Sequence, residues 1–113
     1  MRPKRSKFMG QYFKIDYVDK VIDSDEPDKR LFGMLHDEES VILIRDGMDH
    51  EREREVLLHE VTHQLFNMSG IKWSGDQEES VTSFLGAALL SHIRENKKFW
   101  SYIMEAPPPD EDD

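Results

Sequence analysis

The residues in this chain best suited to chemistry are His59 and His63, with Glu60 beside the first of them. A helix turns about 100° per residue, so positions four apart share one face, one turn apart. Two imidazoles placed this way offer two nitrogen donors to a single ion. A carboxylate at position 60 lies within reach of a water held by that ion and can take its proton. The chemistry implied is hydrolysis by a metal-activated water. Two histidines leave a hydrolytic zinc one protein ligand short, because such sites use three ligands and keep a fourth position open.

The third donor must come from downstream. Glu78 and Glu79 stand side by side there, and His92 lies further on. Glu79 sits two residues before Val81 and six before Leu85, at the border of an apolar helical face. Glu78 sits three and seven before the same residues and also turns inward. Periodicity does not separate the two. Glu79 is the first choice, with Glu78 and His92 as alternatives. First-turn acid enrichment accounts for a Glu pair without any metal, and a core or interface role accounts for His92.

These residues need rigid supports, and the flanking pattern supplies them. Val56, Leu57, Leu58, Val61, Leu65 and Phe66 surround the histidines with the spacing of a mostly buried amphipathic helix, expected from Glu51 to Asn67. Asp49 is placed to cap its start and Ser69-Gly70 to stop it. Interleaved charges over residues 50–55 mark a solvated face. Ser74 and Gln77 have capping-box spacing and open a second helix running to about Asn96. Its small residues Gly86, Ala87 and Ala88 let a neighbouring helix come close, and the short connection makes the first helix that neighbour, antiparallel.

Upstream, the apolar alternation from Phe8 to Ile22 reads as a half-buried strand. Leu31 to Leu35 reads as a second strand, with Gly33 at a bulge or close approach, and Val41 to Ile44 as a buried third. Phe99 to Met104 reads as a short helix. The expectation is an α+β domain over residues 8–105, with a sheet of about three strands packed on the histidine-bearing helix. Residues 1–7 are expected to form a basic flexible leader and 106–113 an acidic disordered tail.

Composition narrows the function. The 113 residues carry 15 Lys and Arg against 24 Asp and Glu, a formal net charge of -9. A uniform polyanion is a poor general partner for nucleic acid. With no cysteine, every thiolate zinc site is excluded, so a metal must be held by His and carboxylate. No apolar run approaches a membrane span, and no apolar core follows the basic N-terminus. A soluble, intracellular protein is expected.

The His-Glu-x-x-His spacing is that of helix-borne zinc hydrolases. The metzincin extension would need Gly at 66 and His at 69, where this chain has Phe66 and Ser69. Leu57 to His63, then Glu78-Glu79-Ser80-Val81 and Leu85 to Leu89, resembles the small phage and bacterial zincin-like metallopeptidases. These are related to the ImmA/IrrE-like group and have a gluzincin-type site. The order of strand, acidic turn, active-site helix and Glu-bearing helix is similar over about Val41 to Met104. The resemblance implies a minimal zincin-like fold, Zn²⁺ on His59, His63 and Glu79, and Glu60 as catalytic base, acting on a protein or peptide substrate in the cytoplasm of a bacterium or phage-infected host cell. The chain has no room for the further domains of the longer ImmA/IrrE-like proteins. A non-catalytic zinc-binding regulatory or adaptor module is the alternative. In that case a fourth side chain, His36, His50 or His92, would close the site. For an oxyanion-stabilising group, Tyr12, Tyr17, His36, Tyr102 and Arg94 are the candidates. The segment from Leu31 to Ile44 is expected to bind substrate as an added strand.

Overall fold

The computed structural model describes residues 1–109, so residues 110–113 of the expected acidic tail lie outside the described residues. The fold is mixed α+β. Strands β1 (Arg5–Phe8), β2 (Gln11–Val18), β3 (Val21–Ile22), β4 (Arg30–Leu31), β5 (Gly33–His36) and β6 (Val41–Arg45) come first. Helices α1 (His50–Ser69), α2 (Gly75–Glu95) and α3 (Lys97–Ile103) follow. The main sheet has the order β1-β2-β6-β5, and β3 and β4 form a separate two-stranded ribbon. No helix among the described residues is long and apolar enough to cross a membrane.

The sheet therefore has four strands rather than about three, with an additional ribbon. The stretch read as one strand from Phe8 to Ile22 is broken twice. Met9 and Gly10 both have positive φ, 49° and 84°, and join β1 to β2, with Phe8 paired to Gln11. A two-residue connection of this kind matches the twist of an antiparallel hairpin. A second break after Val18 releases β3 from the main sheet.

The segment 1–7, expected to be a flexible leader, is largely held in place. Arg5, Ser6 and Lys7 pair with Lys14, Phe13 and Tyr12, respectively, across the hairpin. Arg2 bonds to Asp46 at 2.9 Å and to Glu53, and its guanidinium lies over the Tyr17 ring. The carboxylates that hold Arg2 lie more than forty residues away in sequence, so local composition gave no sign of them.

The core follows from alternation on the central strands. Phe13 and Ile15 of β2 and Ile42 and Ile44 of β6 are buried on one face, while Tyr12 and Lys14 are exposed on the other. β2 and β6 run parallel, with Ile15 opposite Ile42 and Tyr17 opposite Ile44. Val56, Leu57 and Val61 of α1 pack on this apolar face. Gln64 of α1 is fully buried and pins the helix to β1. Ser6 Oγ donates to its Oε1 at 2.7 Å, and its Nε2 donates to the Ser6 carbonyl.

Both long helices begin and end as their sequences imply. Asp49 accepts from the Arg52 amide at 2.8 Å, and Gly70 ends α1 with φ 76°. Ser74 and Gln77 form the reciprocal capping box of α2. Contacts of residue 51 with 94, 59 with 86 and 63 with 78 run in opposite directions along the two helices, so they are antiparallel. Gly86 is buried against His59, where an added Cβ would lie 3.4 Å from its backbone nitrogen. The short helix α3 buries none of its residues.

Candidate metal centre

The helix pair brings three of the expected residues together. His59 and His63 extend from one face of α1, and their Nε2 atoms lie 3.2 Å apart. Glu79, in the first turns of α2, spans both: Oε1 is 3.0 Å from His59 Nε2 and Oε2 is 3.0 Å from His63 Nε2. Among the described residues this is the only cluster of three or more His, Cys, Asp or Glu groups close enough to share an ion.

Glu78 is also at the site, but in a different role. Its Oε1 lies 2.8 Å from His63 Nδ1. With Nδ1–H donating to Glu78, the Nε2 of His63 carries a lone pair and faces the cluster. A carboxylate on the far ring nitrogen is the arrangement that orients a metal-binding imidazole and raises its basicity. Glu78 and Glu79 are adjacent in sequence, yet one holds the back of the ring and the other faces its front.

One donor atom from each of His59, His63 and Glu79 lies within 4.8 Å of the others, so the three side chains could hold a metal ion. Tetrahedral zinc bonds of about 2.0–2.1 Å would place ligand atoms roughly 3.3 Å apart; the two imidazole nitrogens are 3.2 Å apart, and each lies 3.0 Å from a different oxygen of Glu79. Without a proton or a cation between them, such acceptors repel one another.

Glu60 lies beneath this cluster and is only 6% exposed. Burial pushes its carboxyl up to about 7; nearby His63 pulls it down and Glu79 adds to the rise. Burial also lowers the basicity of His59, with Glu79 opposing that shift and His63 reinforcing it. Gly33 of β5 makes the close packing at Glu60 possible. A Cβ at that position would meet Val56 Cγ1 at 2.8 Å and Glu60 Cγ at 3.1 Å. The close approach expected at Gly33 is therefore present, with α1 as its neighbour.

Two cavities open on either side of Glu60 and share His59, Glu60, Glu79, Leu31 and Gly33 in their walls. None of the five expected oxyanion candidates lines either one. Tyr17 donates its hydroxyl to the Pro3 carbonyl, Arg94 pairs with Glu51, and Tyr12 lies on the outer sheet face below Arg5 and Lys7. Polar groups beyond the expected residues do line the cavities, namely Arg52, Glu55, Ser83, Lys29 and Asn67, and these were missed. For Arg52 the signal was present: it lies seven residues before His59, two turns along the same face.

His92 is not part of the cluster. Its Nδ1 accepts from Trp100 Nε1 at 2.9 Å, and its ring meets Phe99 and Trp100 edge-on. No family model matches this chain, and neither does any curated protein or solved structure.

Proposed function

We propose that this chain is a zinc-dependent metallopeptidase with a minimal zincin-like fold. The observation that carries the reading is that His59 Nε2 and His63 Nε2 lie 3.2 Å apart and each lies 3.0 Å from a different oxygen of Glu79, with the buried Glu60 next to His59 on the helix. In this reading His59, His63 and Glu79 hold the ion. Bound zinc would supply a Lewis acid for the scissile carbonyl and an acidified water as nucleophile.

The chain's own residues do the rest. Glu60 accepts a proton from the attacking water and passes it to the leaving amine. Burial raises its carboxyl to about 7; a cation held by the neighbouring rings would draw it down again and favour the ionised, basic form near neutral pH. Glu78 fixes the tautomer and tilt of His63. β5 is an edge strand of the main sheet, and its Gly33 adjoins Glu60, so an extended peptide added to this edge passes over the carboxylate.

A closed, purely structural zinc site needs a fourth side chain. His92 is committed to Trp100, His50 sits at the start of α1 beside Glu51, and His36 lines neither cavity. These observations favour an open position over a closed one. The test pairs metal analysis with cleavage of a mixed peptide library. One equivalent of zinc and cleavage that is lost in Glu60→Gln, with zinc retained, are expected. Full activity in Glu60→Gln would remove Glu60 as the base.

A further inference from the structure

We infer that the cavity on the Phe32 side of Glu60 is a side-chain pocket selecting a bulky apolar residue next to the bond being cut; this rests on the peptidase reading. The cavity measures about 330 Å³. Its walls come from three elements: Leu31 and Phe32 ahead of β5, Val56 on α1, and Ala87 on α2. These four are apolar; Ser83, Arg52 and Glu55 add polar groups to the wall, and His59, Glu60 and Glu79 form the end nearest the reacting groups. The cavity on the other side of Glu60 differs. Lys29, Asn67, His63 and Glu78 give it a more polar lining beside Met34, Leu35 and the shared Leu31. The two halves of the cleft therefore present unlike chemistry to a peptide lying across it.

Phe32 is the wall that makes this pocket specific. It is 40% exposed, yet its ring is flanked by two guanidiniums, Arg45 Cζ at 4.3 Å and Arg52 Cζ at 4.9 Å from the centroid. Cations over an aromatic face hold the ring in place while leaving an edge free for contact. Arg52 and Glu55 are exposed at the mouth and of opposite sign, so neither charge dominates selection there. An aliphatic or aromatic side chain entering the pocket leaves water for contact with four apolar residues. A side chain of that size gains about tenfold or more in affinity from such burial.

The test uses zinc-loaded full-length protein and two small hydroxamates that differ by one benzyl group, acetohydroxamate and 3-phenylpropanohydroxamate. Both chelate through the same atoms, so their affinity ratio reports the pocket alone. Titration calorimetry should give the benzyl compound at least a tenfold advantage. Ala87→Trp should bring the ratio close to one, because Ala87 is exposed on α2 and its replacement fills the pocket without entering the core. Phe32→Ala gives an independent check and should shrink the ratio by removing a wall. Equal affinities in the natural chain, or a preference that survives both variants, would overturn the pocket and leave the metal reading intact. Failure to load zinc, or failure of both hydroxamates to bind the zinc-loaded protein, would overturn the peptidase reading and the pocket with it.

Discussion

α2 carries histidine chemistry at each end, and the two ends use it differently. Near its start, Glu78 and Glu79 meet His63 and His59 across the helix pair, and the imidazole Nε2 atoms point at each other 3.2 Å apart. Near its end, His92 accepts one hydrogen bond from Trp100 and packs against two aromatic rings. Residue type is the same in both places. What differs is the company: carboxylates and converging lone pairs in one case, an indole N–H and aromatic edges in the other. A histidine becomes a metal-ligand candidate when its free nitrogen faces other electron-pair donors. It becomes a structural element when that nitrogen is already taken.

The sharpest way to break this contrast is to remove each histidine in turn. His63→Ala should lower zinc affinity by three orders of magnitude or more by competition with a chromophoric chelator, since two donors alone make a poor zinc site. His92→Ala should leave the stoichiometry at one. Equal zinc loss in the two variants would erase the distinction. Glu78→Ala comes next. Removing the carboxylate behind a metal-bound imidazole typically costs 10–100-fold in affinity. Glu78→Gln should recover part of that loss, because an amide oxygen still accepts from Nδ1–H.

At the other end of α2, Trp100→Phe removes the donor to His92 and should destabilise the fold by about 1 kcal/mol in denaturant melts, with zinc affinity unchanged. Between the two ends lies Thr82, fully buried on α2. Its hydroxyl is the one buried side-chain oxygen or nitrogen among the described residues without a hydrogen-bond partner. Thr82→Val keeps the shape and removes the unpaired group, so unfolding free energy should rise by about 1 kcal/mol.

The smallest effect is expected at the exposed pair Arg94–Glu51, which joins the far ends of the helices. Its hydrogen bond to Arg94 holds the Glu51 carboxyl below the ordinary glutamate value. Stability from this pair is therefore present above that ordinary value and lost as pH falls through the lowered one. Arg94→Ala should flatten the acid limb of the stability profile slightly, in keeping with a solvent-exposed ion pair.

The helices were legible in the sequence because their signals are local. Asp49, Gly70 and the Ser74–Gln77 box mark their ends, and a four-residue spacing aligns His59 with His63. The convergence on Glu79 was legible as a choice between two neighbours, but the outcome was not. Both glutamates contact His63, and only the packing angle of α2 decides which meets the front of its ring. The hairpin at Met9-Gly10 and the anchoring of Arg2 were hidden for different reasons. Methionine is an uncommon residue at positive φ, and the partners of Arg2 are remote in sequence. The pocket around Phe32 was equally invisible, since its walls come from three separate elements.

The central claim is that one ion is gripped by two rings of α1 and a carboxylate of α2. X-ray absorption at the zinc edge, on protein loaded with one equivalent, tests it most directly. The account predicts a nitrogen and oxygen shell of four at about 2.0–2.1 Å with scattering from two imidazoles, falling to one imidazole in His59→Ala. Folded protein that takes up no zinc, or an imidazole count unchanged by that substitution, would contradict it.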